Sequence, residues 1–101
     1  MSDAPFDLAI IGAGPAGHVA AERAGHLGRR VLVVERSHLG GVCLNQGCIP
    51  TKTLLHGAKL YAHARHAGAF GVTVDGARYD LAKAMAWKAQ TVETLRKGIA
   101  D

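Results

Sequence analysis

A glycine-rich turn after an apolar segment constrains the fold of this chain more than any other feature. Phe6–Ile11 is a short apolar run, and Gly12, Gly14 and Gly17 follow it with the spacing G-x-G-x-x-G. An apolar run bounded by glycine is typical of a strand buried on both faces of a parallel sheet. We therefore predict a strand over Phe6–Ile11 that leads directly into a tight turn.

The residues after the turn complete a strand–helix–strand unit. Pro15 favours the start of a helix, because its missing N–H needs no partner in the first turn. We predict a helix from Pro15 to about Leu27, ended by Gly28, and a second buried strand over Val31–Glu35. This order predicts an α/β fold with a right-handed, Rossmann-like βαβ unit over residues 5–36.

This unit predicts a dinucleotide site. Gly12 permits the tight turn, Gly14 lets the backbone approach a pyrophosphate, and Gly17 allows close packing of the helix on the strand. The helix N-terminus offers free N–H groups to the phosphates. Glu35 follows eighteen positions after Gly17, so its carboxylate can accept hydrogen bonds from ribose hydroxyls and would repel the 2′-phosphate of NADP. The pattern alone leaves FAD, NAD and a non-binding turn open.

The only two cysteines, Cys43 and Cys48, lie five positions apart between glycines and a proline. A structural disulfide across so small a loop would add only about 2 kcal/mol. We predict a cytoplasmic protein, because the N-terminus has no signal-peptide pattern, and the cytoplasm keeps ordinary thiols reduced. Zinc would need His38 or His56 as further ligands, and the spacing differs from the usual C-x₂₋₄-C. We therefore favour a redox pair in which a helix start activates Cys43.

The cysteine segment cannot be a regular helix if the two thiols are to pair. Residues five apart are separated by about 7.5 Å along a helix axis, whereas a disulfide needs Cα atoms within roughly 7 Å of each other. We predict a helical segment over residues 42–66 that is disturbed around Asn45–Gly47. Gly47 would relax the backbone there, and Asn45 would bond local amides.

The last third of the chain predicts a short strand or hairpin and a long helix. Ala67–Asp75 combines glycines with a brief apolar alternation, which favours a strand. Asp80 can cap a final helix over residues 80–99, whose apolar stripe predicts core packing: Leu81, Met85, Val92, Leu95 and Ile99. Two parallel strands do not make a self-sufficient sheet, so we interpret residues 1–101 as an amino-terminal fragment of a larger domain.

Composition excludes several functions. The chain is 49% hydrophobic and 20% charged, which is typical of a globular domain. Its net charge of +4 comes from scattered basic residues with no long run and no aromatic interleaving, so nucleic-acid binding is disfavoured. No apolar run is long enough to span a membrane.

The segment Gly40–Lys52, GGVCLNQGCIPTK, resembles the active-site motif of the FAD-dependent pyridine nucleotide–disulfide oxidoreductases. Leu44, Ile49 and the Pro50–Leu55 segment most resemble the dihydrolipoamide dehydrogenases of that family. Glutathione and mercuric reductases tend to carry valines at the positions of Leu44 and Ile49. A related reductase and a non-catalytic nucleotide-binding fragment are the alternatives.

The resemblance implies bound FAD, with NAD as the electron acceptor. Cys43 matches the thiol that exchanges with a dithiol substrate, Cys48 the thiol facing the flavin, and Lys52 the lysine beside the flavin ring. It implies a lipoyl-domain dithiol of the 2-oxo acid dehydrogenase complexes as substrate and a homodimer in the full-length form. The NAD-binding domain, the dimerisation domain and a His–Glu base would lie beyond Asp101, so we expect the chain alone to be inactive. The predicted cofactor-binding residues are Gly12, Gly14, Pro15, Ala16, Gly17, Glu35, Arg36, Gly40, Gly41, Val42, Cys43, Cys48 and Lys52.

Overall fold

A computed structural model describes residues 4–101 and begins with a strand–helix–strand unit. Strand β1 is Leu8–Ile11, helix α1 is Pro15–His26 and strand β2 is Val31–Val34. The two strands pair in parallel, with Leu8 opposite Val31. The α/β fold and the βαβ unit are therefore confirmed, with strands slightly shorter than predicted.

Helix α1 begins and ends where its sequence indicates. Pro15 is its first residue and Gly14 is the N-cap, without a side-chain capping bond. At the other end Gly28 has a φ of +73°, and its N–H donates to the carbonyl oxygen of Gly25 at 2.9 Å. A positive φ costs glycine little, so Gly28 ends the helix as predicted.

The cysteine segment forms two helices rather than one. Helix α2 is Gly41–Gln46 and helix α3 is Cys48–His66. Gly47 separates them with φ −124° and ψ −100°, which is far from helical geometry. The predicted disturbance around Asn45–Gly47 is therefore confirmed, and it is a complete break.

The predicted strand within Ala67–Asp75 is wrong. Ala67–Phe70 forms a 3₁₀ turn that ends at Gly71, whose φ is +78°. Among residues 4–101, β1 and β2 are the only strands. The two alternating valines offer too short a run for a strand, and they do not join the sheet of β1 and β2.

The final helix, α4, is Leu81–Ala100, and its predicted cap is confirmed. Asp80 accepts a hydrogen bond from the N–H of Lys83 at 3.0 Å through Oδ1. Helix α4 packs along α3, with ring contacts between His56 and Trp87. No helix of the described residues is long and apolar enough to cross a membrane.

The core of the described chain is small. Its buried apolar side chains are Ala13, Leu44 and Val92. The radius of gyration is 19.9 Å, against about 13 Å for a compact domain of 100 residues. Helices α3 and α4 therefore extend away from the sheet instead of closing over it.

Two packing predictions fail in the described chain because covering layers are absent. Helix α1 covers one face of the sheet, whereas Ile11 is 92% and Val34 51% exposed, so the strands are not buried on both faces. In the predicted stripe of α4 only Val92 is buried, and Leu81 is 64% exposed. The half-buried side of α4 instead includes Lys88 and Arg96.

Candidate active site: a disulfide joined to a glycine-rich turn

The turn after β1 packs so closely on α1 that it excludes a side chain at Gly17. Gly12 has a φ of +96°, and its N–H donates to the carbonyl oxygen of Val34 at 2.7 Å. A Cβ atom at Gly17 would overlap the carbonyl oxygen of Gly12 and lie 2.9 Å from its carbonyl carbon. The turn therefore holds the N-terminus of α1 directly against the end of β1.

Gly14 lies in open space by comparison. Its φ of −71° is accessible to any residue, and a Cβ there would meet only Gly41 Cα, at 4.0 Å. Among residues 4–101, no neighbouring atom requires glycine at this position. Gly14 is the N-cap of α1, and the N–H groups of the first turn of a helix have no helical partners, so the residues present fit a pyrophosphate group.

Glu35 lies at the end of β2 and closes this turn. Its Oε2 accepts the N–H of Ala13 at 2.8 Å, and its Oε1 accepts the N–H of Ser37 at 2.9 Å. These backbone N–H groups, that of Ala13 first, hold the pKa of Glu35 below its ordinary value of 4.5. A carboxylate has about four acceptor sites, so the charged group retains capacity for two ribose hydroxyls.

A second pair of glycines joins the turn to the cysteine segment. The N–H of Gly40 donates to the carbonyl oxygen of Ala13 at 2.8 Å. Gly41 has a φ of +63°, and a Cβ there would lie 2.8 Å from Gly14 Cα. Ala13 is only 1% exposed and bonds both Glu35 and Gly40, so it connects β2, the turn and the start of α2. No pattern in the sequence indicates this role of Ala13, because both bonds use its backbone.

Cys43 and Cys48 form a disulfide across the break between α2 and α3. Their Cα atoms are 4.6 Å apart, closer than a continuous helix would allow. A Cβ atom at Gly47 would lie 3.2 Å from the carbonyl oxygen of Val42, so glycine fits this break best. Cys43 is half-buried and Cys48 is exposed. The arrangement supports thiol–disulfide exchange, because a solvent-accessible disulfide is open to attack by a thiolate.

Asn45 connects the cysteine segment to the distant helix α4. Its Nδ2 donates to the carbonyl oxygens of Leu39 and Gly41, at 3.0 and 2.8 Å. Its Oδ1 accepts from Arg96 Nε at 3.0 Å and from Nη2 at 2.7 Å. The prediction that Asn45 bonds local backbone amides is therefore confirmed, and it does so through their carbonyl oxygens. Nothing in the sequence pointed to Arg96, which lies 51 positions away.

The other predicted site residues lie around these groups. Pro15 and Ala16 form the first turn of α1, and Arg36 is exposed directly after Glu35. Val42 is 70% exposed. Lys52 is exposed one helical turn after Cys48 on α3. Among residues 4–101, no three His, Cys, Asp or Glu side chains lie close enough to hold a metal ion.

Fold and site together define an α/β unit in which a disulfide is joined to a glycine-rich turn. Residues 6–100 match the family described as pyridine nucleotide-disulphide oxidoreductase, and the chain belongs to this family.

Curated relatives and a solved structure agree with this assignment. A dihydrolipoyl dehydrogenase of Bacillus subtilis (strain 168) is 48% identical over 94 residues, which are 93% of this chain and 20% of the relative. One from Mycoplasma pneumoniae is 59% identical over 71 residues, covering 70% of this chain and 16% of the relative. The solved Cu(II) complex of the HOCl-induced flavoprotein disulfide reductase RclA from Escherichia coli superposes with a TM-score of 0.72 and 33% identity, over 95% of this chain and 18% of that chain. The chain thus spans about a fifth of the length of these relatives.

Proposed function

We propose that residues 1–101 form the amino-terminal part of the FAD-binding domain of a cytoplasmic dihydrolipoamide dehydrogenase. The observation that carries this proposal is the direct connection between the disulfide segment and the glycine-rich turn, through Gly40, Gly41 and Ala13. The uncovered face of the sheet supports the assignment to a larger domain.

Two features of the turn support FAD as the cofactor: the open space at Gly14 and the unpaired N–H groups at the start of α1. We assign the pyrophosphate to the N-terminus of α1 at Gly12, Gly14, Pro15, Ala16 and Gly17, the adenosine ribose to Glu35 and Arg36, and the approach to the flavin to Gly40, Gly41, Val42 and Lys52. When bound, FAD would take an electron pair from the reduced cysteine pair and transfer it as hydride to NAD⁺.

The cysteine pair oxidises a dithiol by two exchange steps. A substrate thiolate attacks Cys43 Sγ, which forms a mixed disulfide and releases Cys48 as a thiolate. The second substrate thiolate then attacks the substrate sulfur of the mixed disulfide and releases Cys43. The substrate leaves as a cyclic disulfide, the protein pair has gained two electrons, and the two substrate protons pass to a base or to solvent.

The names of the curated relatives support a lipoyl dithiol substrate. From the resemblance of the cysteine segment to the dihydrolipoamide dehydrogenases we further propose partnership with 2-oxo acid dehydrogenase complexes and a homodimeric enzyme. The second candidate function is the reduction of another disulfide substrate. It is favoured by the structural likeness to a flavoprotein disulfide reductase at 33% identity.

Steady-state assays of the intact enzyme separate the two functions. We expect dihydrolipoamide to drive reduction of NAD⁺, and we expect no comparable oxidation of NADPH by glutathione disulfide. Cys43→Ser serves as the control for the disulfide route and should abolish turnover. Efficient NADPH-dependent reduction of a disulfide, without dihydrolipoamide activity, would favour the second candidate and contradict the first.

A further inference from the structure

We propose that Arg96 is a positioning residue for the redox disulfide, and that it acts through Asn45. The inference rests on the proposed function, since it concerns how the Cys43–Cys48 pair is held. Asn45 lies between the two cysteines, and Arg96 lies in α4, the last helix.

The Asn45 side chain has no unused hydrogen-bonding capacity. A carboxamide offers two N–H donors and two acceptor lone pairs. Here both donors reach backbone carbonyls, at 3.0 and 2.8 Å, and the oxygen accepts two N–H groups of one guanidinium, at 3.0 and 2.7 Å. The flipped amide would set donors against donors and oxygen against carbonyl oxygens, so the four contacts fix its orientation.

The Arg96 guanidinium is held in place by contacts on two sides. Its Nε and Nη2 both bond Asn45, while Nη1 bonds Glu93 Oε2 at 3.0 Å on the same helix. The planar guanidinium presents its donors in a rigid fork. The side chain is 32% exposed, so the contact with Asn45 is partly shielded from water.

Helix α2 needs such support because it has only six residues. Helices this short are not stable by themselves in water. The disulfide holds α2 to α3 in the oxidised state, but that bond is gone once the pair is reduced. Contacts that remain after reduction, at Gly40, Gly41 and Asn45, then keep Cys43 near Cys48 for reoxidation.

Loss of the Arg96 contact should therefore favour the reduced, more mobile dithiol. Because bonds to a charged group are stronger than neutral ones, we expect an equilibrium shift of roughly tenfold towards the dithiol in Arg96→Leu. That corresponds to a potential about 30 mV less negative. Arg96→Lys keeps the charge but not the fork, and should shift the equilibrium in the same direction.

The experiment equilibrates the intact protein with dithiothreitol buffers and counts alkylated Cys43 and Cys48 by mass spectrometry. Glu93→Gln is the matched control, because it alters the other partner of the same guanidinium and should leave the equilibrium within about twofold of the parent. Helix content by circular dichroism is measured for each variant, and Arg96→Lys decides if Arg96→Leu does not fold.

The outcomes separate this inference from the proposed function. If the parent disulfide is not reversibly reduced, the proposed function is wrong. If it is, but neither Arg96 variant shifts the equilibrium, the proposed function stands and the role of Arg96 is refuted. An Arg96→Lys equilibrium equal to the parent's would assign the effect to charge and would also overturn a positioning role.

Discussion

Replacing either of two glycines of the same turn, Gly14 or Gly17, by alanine should have different consequences for stability and for cofactor binding. At Gly17 the new Cβ would overlap the carbonyl oxygen of Gly12 and lie 2.9 Å from its carbon. Both atoms belong to the backbone, so no side chain can rotate away. At Gly14 the nearest atom is Gly41 Cα at 4.0 Å, and the backbone already has a φ suited to alanine. Gly17→Ala should therefore damage the fold, whereas Gly14→Ala should damage only the binding of a cofactor.

The change in the free energy of unfolding caused by Gly17→Ala is the difference between an overpacking cost and a gain in helix propensity. Overpacking typically costs about 1–3 kcal/mol, and alanine in a helix interior returns at most about 1 kcal/mol relative to glycine. Because both overlapping atoms belong to the backbone and cannot move aside, the upper part of the overpacking range applies, about 2–3 kcal/mol. A net loss of about 1–2 kcal/mol therefore remains, which corresponds to roughly a 5–30-fold change in an opening equilibrium. Gly14→Ala should be neutral or slightly stabilising in the free protein, because alanine restricts the unfolded chain.

Hydrogen–deuterium exchange of the intact protein measures the opening equilibrium of each element separately. Amides of β1, α1 and β2 should exchange faster in Gly17→Ala by the factor above, with and without FAD. In Gly14→Ala these amides should exchange at the parental rate without FAD, and added FAD should protect them less than in the parent. Parental exchange in Gly17→Ala, or equal acceleration in both variants, would refute the packing argument.

Two further predictions concern the carboxylate of the turn and the small core. Glu35→Gln should weaken FAD retention and leave the turn less firmly closed, because an amide has only one acceptor oxygen for the N–H groups of Ala13 and Ser37. Flavin absorbance per protomer after dialysis measures this effect. Equal flavin content in the variant and the parent would contradict the prediction. Since the pKa of Glu35 is lowered in the folded protein, its stabilising contribution is present above pH 4.5 and is lost as the pH falls below that value. Parental flavin release should therefore accelerate on acidification through this range, and Glu35→Gln should lack that step. The 101-residue chain alone should be prone to aggregation with little FAD affinity, since large apolar side chains such as Ile11 are exposed; a monomer in sedimentation that unfolds cooperatively and binds FAD tightly would contradict this.

The local elements could be predicted from the sequence, and the contacts between distant elements could not. Apolar runs, Pro15 and Gly28 specify β1, α1 and β2 through interactions of neighbouring residues, and the Cys43–Cys48 spacing required a break at Gly47. The valines after Ala67 misled the prediction, because a strand forms only where a partner strand exists.

The burial of α4 and its contact with Asn45 depend on tertiary packing. The apolar stripe of α4 predicted a packed face, yet the half-buried side includes Lys88 and Arg96. A side-chain contact over 51 positions leaves no periodic signal in one sequence. The long stem of Arg96 can pack against apolar surface while its guanidinium bonds Asn45, so a charged residue replaces the expected apolar one.

If Cys43 and Cys48 form the proposed redox pair, the two sulfur atoms occupy distinct positions relative to bound FAD. The most direct measurement is the visible absorption spectrum of the intact, FAD-loaded protein with either cysteine replaced by serine. Cys43→Ser leaves Cys48 as a thiolate against the flavin, so a long-wavelength charge-transfer band should appear without added reductant and disappear when acidification protonates the thiolate.

Cys48→Ser should lack that band, while Cys43 still reacts readily with alkylating agents. Both variants should lose dithiol-dependent NAD⁺ reduction, because each half of the pair is needed. A band found only in Cys48→Ser would invert the two roles, and full activity in either variant would contradict the redox assignment altogether.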